Sequence, residues 1–209
     1  MAKFFATLPT PLQTWPRYNV APTQTVPVVR PAASGRELVA MRWGIVPAWN
    51  RGSSMLLINA RSETAATKPT FKKALQQLRC LIPATGFYEW RKEGRQKQPF
   101  LFRLADVGLF AFAGLWEVGR DKDGKEAEAC AILTTEANEL VRPAHDRMPV
   151  ILDPQHYAEW LDPSLTDPTQ FAEWLRPYPA SAMIAYPVSS AVNNARHEGP
   201  ECAQPQATA

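Results

Sequence analysis

Cysteine is scarce in this chain: Cys80, Cys130 and Cys202 are the only three in 209 residues, odd in number and without a Cys-x-x-Cys. That excludes a disulfide scaffold and points to a reducing, cytoplasmic setting. Histidine is as rare, and no cysteine–histidine spacing matches a metal site. Long apolar runs are missing too. Phe4-Phe5-Ala6-Thr7-Leu8 is broken off by Pro9 and Pro11, which is no secretory segment, and nothing downstream is long enough to span a bilayer. No Gly-x-Gly-x-x-Gly, Walker loop or Gly-x-Ser-x-Gly occurs, so neither a nucleotide cofactor nor a serine hydrolase is expected, and no cofactor at all is assigned. Cys80 and Cys130 lie in apolar stretches where a thiol is inert filling, so none of the three is a persuasive nucleophile. The net charge of +3 is compatible with a local nucleic-acid groove and too weak to imply one.

What the chain does have is 45% hydrophobic residues, enough for a sizeable core, and twenty prolines, which favour strands and sharp corners over a helical bundle. Ala2–Leu8 reads as the last turns of a helix ended by Pro9. Strands are expected at Val26–Val29, Glu37–Trp43, Cys80–Ile82, Phe87–Trp90, Phe100–Leu104, Leu109–Trp116, Ala129–Thr135, Val150–Leu152 and Met183–Val188. Phe71, Ala74, Leu75 and Leu78 fall at i, i+3, i+4 and i+7, which predicts one amphipathic helix from Pro69. A short helix is expected around Glu136–Val141, and two more around Gln155–Leu161 and Pro168–Leu175. Polar Arg91–Gln98 reads as a hairpin loop, Asp121–Gly124 as a turn, and residues 200–209 as a loose tail. The sum is an α+β chain, residues 1–209 as a single domain, with a mixed, mainly antiparallel β-rich core and a few flanking helices.

Four stretches carry chemistry or could meet a ligand. In Asn59-Ala60-Arg61-Ser62-Glu63, polar residues fall at every second position, so an extended backbone would aim an amide, a guanidinium and a carboxylate to one side. They could recognise an anion and manage a proton, or Arg61 and Glu63 could form a surface ion pair of little value. Glu89 stands between Phe87, Tyr88 and Trp90; facing inward its pKa would rise and suit acid–base work, facing outward it is an ordinary sheet glutamate. His145 lies in a loop before Asp146 and Arg147, placed either to shuttle protons or to cap a helix C-terminus. Trp43 to Trp49 forms a loop with Pro47 and two tryptophans, fit for a core or for stacking on bases.

Taken together, Arg17-Tyr18-Asn19-Val20-Ala21-Pro22, Trp43-Gly44 with Pro47-Ala48-Trp49, Ile58-Asn59-Ala60-Arg61-Ser62-Glu63-Thr64, Gly86-Phe87-Tyr88-Glu89-Trp90 and His145-Asp146-Arg147-Met148-Pro149 occur in that order. This pattern strongly resembles the SRAP (SOS-response-associated peptidase) family of abasic-site processing proteins, over roughly Arg17 to Gly199. The resemblance implies binding of single-stranded DNA containing abasic sites and covalent attachment to them, as part of a DNA-damage response. It implies a monomer, cytoplasmic and on the nucleoid when bound to DNA, with no membrane association. The attacking group in the family is a cysteine exposed when the initiator methionine is removed: its α-amine forms an imine with the sugar aldehyde and its thiol closes a thiazolidine. An α-amine with a pKa near ~8 is partly unprotonated at neutral pH, unlike lysine near ~10.4. Carried over, Asn59 would orient the amine or sugar, Glu89 would handle protons of imine formation, and His145 would protonate the opening sugar or help reverse the crosslink. Arg61 would hold a phosphate, and Pro22, Trp49 and Trp90 would line the groove against the bases. Asn50 stands where some family members have a second tryptophan, which weakens the expected wedge.

The start departs from the pattern. Family members begin Met-Cys-Gly-Arg-Phe, followed by a helix; this sequence begins Met1-Ala2-Lys3-Phe4-Phe5. Ala2 offers an amine and no thiol, so an imine could form and a thiazolidine could not. The expectation is an upstream start that supplies the cysteine. Two other classes stay open: a nucleophile-free module that grips single-stranded DNA, and a peptidase-like activity limited to removal of its own leader.

Overall fold

The computed structural model describes residues 1–47, 56–120 and 125–206. Five strands close on themselves: β1 (Thr25–Ala32), β2 (Gly35–Trp43), β4 (Arg79–Ala84), β7 (Phe110–Arg120) and β8 (Glu126–Glu136), in the ring order β7-β4-β1-β2-β8 and back to β7. Two-residue periodicity divides their side chains between two cores. Val28, Met41, Ile82, Phe112, Cys130 and Ile132 pack together on one face, and their neighbours Val29, Leu81, Ala113 and Leu133 pack on the other. The second set meets helices: α2 (Pro69–Gln77) with Phe71, Ala74 and Leu75, α3 (Tyr157–Trp160) with Tyr157 and Trp160, and the 3-10 helix Pro168–Leu175 with Phe171. Helices cover the outside of a barrel, so the first set is its interior. A separate antiparallel sheet, β11-β6-β5 (Met183–Pro187, Gln96–Leu104, Phe87–Glu93), adds Phe87, Phe102, Leu104 and Met183 to that interior cluster.

The short strands β3 (Asn59–Arg61), β9 (Arg147–Pro149) and β10 (Ile151–Leu152) extend the barrel wall. β7 leaves β8 after Gly114↔Ile132, and β9 takes the vacated edge with Thr134↔Pro149 and Glu136↔Arg147. On the opposite edge of β8, β3 runs parallel with Asn59↔Ile132 and Arg61↔Thr134. Thr134 therefore stands between Arg61 and Pro149, which are two strand spacings, or roughly 10 Å, apart. Most pairings are antiparallel; β2–β8 and β3–β8 are parallel. This is the mixed, β-rich architecture expected.

Several local expectations are corrected. Arg91–Gln98 is not a loop: β5 and β6 stay paired to Glu93↔Gln96, leaving only Gly94 and Arg95 as the turn. Gly94 has φ 60° and Arg95 does not, the II′ pattern whose twist suits a tight hairpin. Residues 137–144 form turns, not a helix; Asn138 Oδ1 accepts the Leu140 and Val141 N–H groups and holds the chain in a side-chain-closed turn. The segment after Gly199 is docked and not loose. Pro200–Ala203 is a 3-10 turn with Cys202 fully buried, Val188 bridges Pro205, and Gln206 N–H donates to Pro187 O at 2.8 Å. Asp121–Gly124 lies outside the described residues. At the other end, Met1–Phe5 makes one helical turn closed by Ala6 at φ 49°, with Thr7 N–H to Ala2 O and Ala6 N–H to Lys3 O, the paired bonds of a helix C-terminus. Phe5 anchors it, fully buried 5.6 Å from the Tyr157 ring in the outer core.

Candidate functional site

Gly86-Phe87-Tyr88-Glu89-Trp90 opens β5, the free edge of the small sheet. Gly86 is needed there because a Cβ would sit 2.8 Å from both Leu101 Cδ1 and Phe102 O, so only glycine lets β5 start against β6. Phe87 then buries its ring on Phe102 at 5.3 Å. Tyr88 places its hydroxyl 2.6 Å from Tyr18 O and 3.1 Å from Cys202 O, and burial raises its pKa. The next two residues face a cleft of about 490 Å³ that wraps the strand edge, lined by Glu89, Trp90, Lys97, His145 and Asn193.

Of the two orientations the sequence left open, Glu89 takes the desolvated one. Burial raises its carboxyl pKa, the nearby His145 opposes that rise, and Asp146 adds to it. His145 is half-exposed, and its Nδ1 accepts the Arg147 backbone N–H at 2.9 Å, so the neutral ring carries its hydrogen on Nε2. Nδ1 also lies 3.2 Å from Asp146 Oδ1 and from Arg147 O. The histidine does not cap a helix, because none precedes it. Trp90 donates its indole N–H to Asn193 Oδ1 at 2.7 Å, which fixes the ring in the cleft wall.

Asn59, Arg61 and Glu63 do not form one row. The strand ends at Arg61, which becomes the N-cap of α1 (Ser62–Ala65), so Glu63 leaves the strand and enters a helical turn. Its partner is Arg147 and not Arg61: Nη1–Oε1 and Nη2–Oε2 are both 2.8 Å, and Arg147 Nη2 also donates to Thr134 O at 2.6 Å. The hydrogen bond from Arg147 is the main reason the Glu63 carboxyl lies below its ordinary value of 4.5. This fork anchors the backbone whose N–H meets His145. We expect Glu63→Gln to cost about 1 kcal/mol in urea unfolding, the upper end for a half-exposed pair. Because the folded pKa is depressed, that stabilisation is present above pH 4.5 and lost as pH falls through the lower folded value, so wild type and variant converge in acid.

Asn59 and Arg61 are exposed, without a side-chain hydrogen bond or ion pair among the described residues, and neither is among those lining the cleft. Pro22 is exposed at the second position of the turn Ala21–Gln24, closed by Gln24 N–H to Ala21 O at 3.2 Å, with Thr23 held at φ 78°. Trp43 connects these groups. Its backbone bonds Thr23 and Gln24, and its indole N–H donates to Ile58 O, next to Asn59, at 2.9 Å. Trp43 is thus a fastener at the barrel rim; Trp49 lies outside the described residues.

Two participants were missed by sequence reasoning. Lys97 and Asn193 both line the cleft, one from the segment read as a loop and the other from a polar run with no periodicity. Asn193 belongs to a strap, residues 188–206, held by the Arg17-Tyr18-Asn19 motif. Glu198 accepts from Arg17 Nε at 2.8 Å and Asn19 N–H at 2.9 Å, while Asn19 Nδ2 lies 3.0–3.1 Å from Val192 O, Asn194 O and His197 O. Asn19 bonds residues far along the chain, not its own turn. All three cysteines are buried, and burial raises Cys80 strongly and pushes Cys130 up to about 12. Among the described residues no group of acidic, cysteine or histidine side chains could hold a metal, and no helix is long and apolar enough to cross a membrane.

The chain is 43% identical over 189 residues to the abasic site processing protein YoqW of Bacillus subtilis (strain 168), covering 89% of this chain and 84% of that protein. It is 36% identical over 190 residues to the abasic site processing protein YedK of Escherichia coli (strain K12), covering 90% and 84%. A crystal structure of a protein from Bacteroides thetaiotaomicron superposes with TM-score 0.79 at 30% identity, over 88% of this chain and 82% of that one. One from Bordetella bronchiseptica gives 0.74 at 31%, over 90% and 94%. The family model described as SOS response associated peptidase (SRAP) matches residues 2–195, and the chain belongs to that family.

Proposed function

We propose that the protein binds single-stranded DNA across the Glu89–His145 cleft and processes abasic sites there. The observation that carries this reading is a half-buried carboxyl of raised pKa beside an imidazole, at the mouth of a cleft walled by a fixed indole. The names of the relatives supply the substrate. In the reaction, an unprotonated α-amine attacks C1′ of the ring-opened sugar and the carbonyl oxygen takes a proton, giving a carbinolamine. That hydroxyl then leaves as water with a second proton while nitrogen loses its own, giving the imine; a neighbouring thiol adds across the C=N bond to close the thiazolidine. The first two steps each carry a proton from nitrogen to oxygen and the third carries one from sulfur to nitrogen, work suited to a carboxyl poised above its ordinary range. His145 donates from Nε2 to the sugar ring oxygen as it opens. Asn59 orients the amine, and Pro22, Trp49 and Trp90 support the bases.

By the family resemblance, the amine and thiol are those of an N-terminal cysteine, which a test form made to begin Met-Cys-Gly-Arg-Phe supplies. Incubating that form and the chain from Met1 with an abasic single-stranded oligonucleotide tests the proposal: a heat-stable adduct from the first alone supports it. Binding by both with an adduct from neither leaves a nucleophile-free DNA-binding module. Cys80, Cys130 and Cys202 are all buried, so none of them offers the thiol that the adduct needs. Absence of binding by either form removes both.

Arg61, exposed at the end of β3 and without an ion-pair partner among the described residues, is the phosphate ligand on this reading. Arg61→Ala should weaken binding alike across DNA sequences and flatten the plot of log K against log salt by about 0.7, one phosphate contact on single-stranded DNA. Its thermal midpoint should stay at the wild-type value. A fall in stability in place of the salt effect would return Arg61 to a structural role.

A further inference from the structure

The β5–β6 hairpin beyond the cleft carries Arg91, Lys92, Glu93, Arg95 and Lys97, all exposed. Strand register sorts these charges, because residues directly opposite each other share a face. On one face the charge is settled: Arg91 pairs with Glu93 and lies 4.2 Å over the Phe100 ring. On the other, Trp90 stands opposite Pro99, and Lys92 stands directly opposite Lys97. Neither lysine has an ion-pair partner among the described residues, and a like-charged pair in direct register opposes folding of the hairpin. Arg95 adds a third cation in the turn. Lys97 and Trp90 both line the cleft, so the unneutralised face runs outward from it. At ~3.3 Å per residue the distance from Trp90 to the turn is roughly 10–14 Å, long enough for several backbone phosphates.

We propose that this face of the hairpin is an arm that grips the phosphate backbone of the DNA strand leaving the cleft. Trp90 stacks on the base nearest the lesion, Lys92 and Lys97 take the phosphates that follow, and Arg95 reaches the strand beyond them. Two cations held in register against their mutual repulsion are matched by a polyanion that threads between them. The proposal rests on the reading of the cleft as a DNA site.

The test compares wild type, Lys92→Gln/Arg95→Gln/Lys97→Gln, and the control Lys68→Gln/Lys72→Gln/Lys73→Gln, which removes the same charge from exposed positions at and beside α2. Binding of a labelled single-stranded oligonucleotide with one abasic site is measured from about 50 to 200 mM salt. The hairpin variant should lose about 2 units of slope in log K against log salt, and the control should match wild type. The single variant Lys97→Gln should lose about 0.7 while its thermal midpoint does not fall, and it decides the matter if the triple variant does not fold. Wild-type binding with an unchanged slope in the hairpin variant overturns the arm and leaves the cleft reading intact, and an equal loss in the control does the same. Wild type that does not bind DNA overturns both.

Discussion

Glu89→Gln, in a form that carries the N-terminal cysteine, should slow adduct formation by about 10²–10⁴-fold while leaving DNA affinity within a factor of about two. The substitution keeps the size of the side chain and its place at the edge of β5, so the cleft and its indole wall remain. What it removes is a group that can take a proton from nitrogen and return it to oxygen. The pH profile separates this from a change of shape. Burial holds the Glu89 carboxyl above its ordinary 4.5, against the pull of His145 and with the push of Asp146. The base form therefore accumulates only as pH rises through a value above 4.5, and the acidic limb of the wild-type rate should lie there; the glutamine variant should lack it. Stability runs the other way. A raised folded pKa favours the folded state below pH 4.5, and that contribution is lost as pH rises through the folded value, so at neutral pH the variant should be at least as stable as wild type. Single-turnover gel assays across pH, beside thermal melts, read both. Unchanged rates, or a limb that persists without the carboxyl, would remove Glu89 from the chemistry.

How far the site could be read in advance depended on whether each residue's neighbours lay close in the chain. α2 was legible because Phe71, Ala74 and Leu75 bury one face at helical spacing from an N-terminal proline, a local pattern. The β5 strand was legible from Phe87 to Trp90, where one face is apolar. Its continuation through Glu93 was not, because both faces of that hairpin meet water and no alternation survives; Gly94 was the surviving cue. Glu63 misled for a different reason. Alternation predicted a shared face with Asn59 and Arg61, but Arg147, 84 positions on, offered a two-pronged partner and the chain turned into α1. The strap was invisible for the same cause: hydropathy cannot show that Cys202 is buried, or that Asn19 waits for carbonyls more than 170 residues away.

That long-range clamp sets the last expected result. Asn19→Ala should cost about 3 kcal/mol and lower the thermal midpoint by roughly 6–12 °C. Asn19 is 5% exposed, and its amide nitrogen is the hydrogen-bond donor that meets Val192 O, Asn194 O and His197 O together. Removing it strands Val192 O and leaves Asn194 O with the His197 N–H alone and His197 O with the weak Cys202 thiol, in a site too closed for water to replace the donor fully; an unsatisfied buried group costs more than a typical hydrogen bond returns. Asn19→Asp sharpens the test, since it keeps the volume and puts oxygen where the donor was; it should be at least as damaging. The consequence for function follows the strap. Val192 is followed by Asn193, whose Oδ1 holds the Trp90 indole at 2.7 Å, so a strap that detaches releases the cleft wall. Asn19→Ala should therefore expose residues 188–206 to limited proteolysis and weaken DNA binding together, whereas Asn193→Ala should weaken binding with the strap still protected. If Asn19→Ala left the strap protected, the clamp would not be what holds Asn193 against Trp90, and the first motif of the sequence would have to act on the DNA side of the cleft by its own contacts.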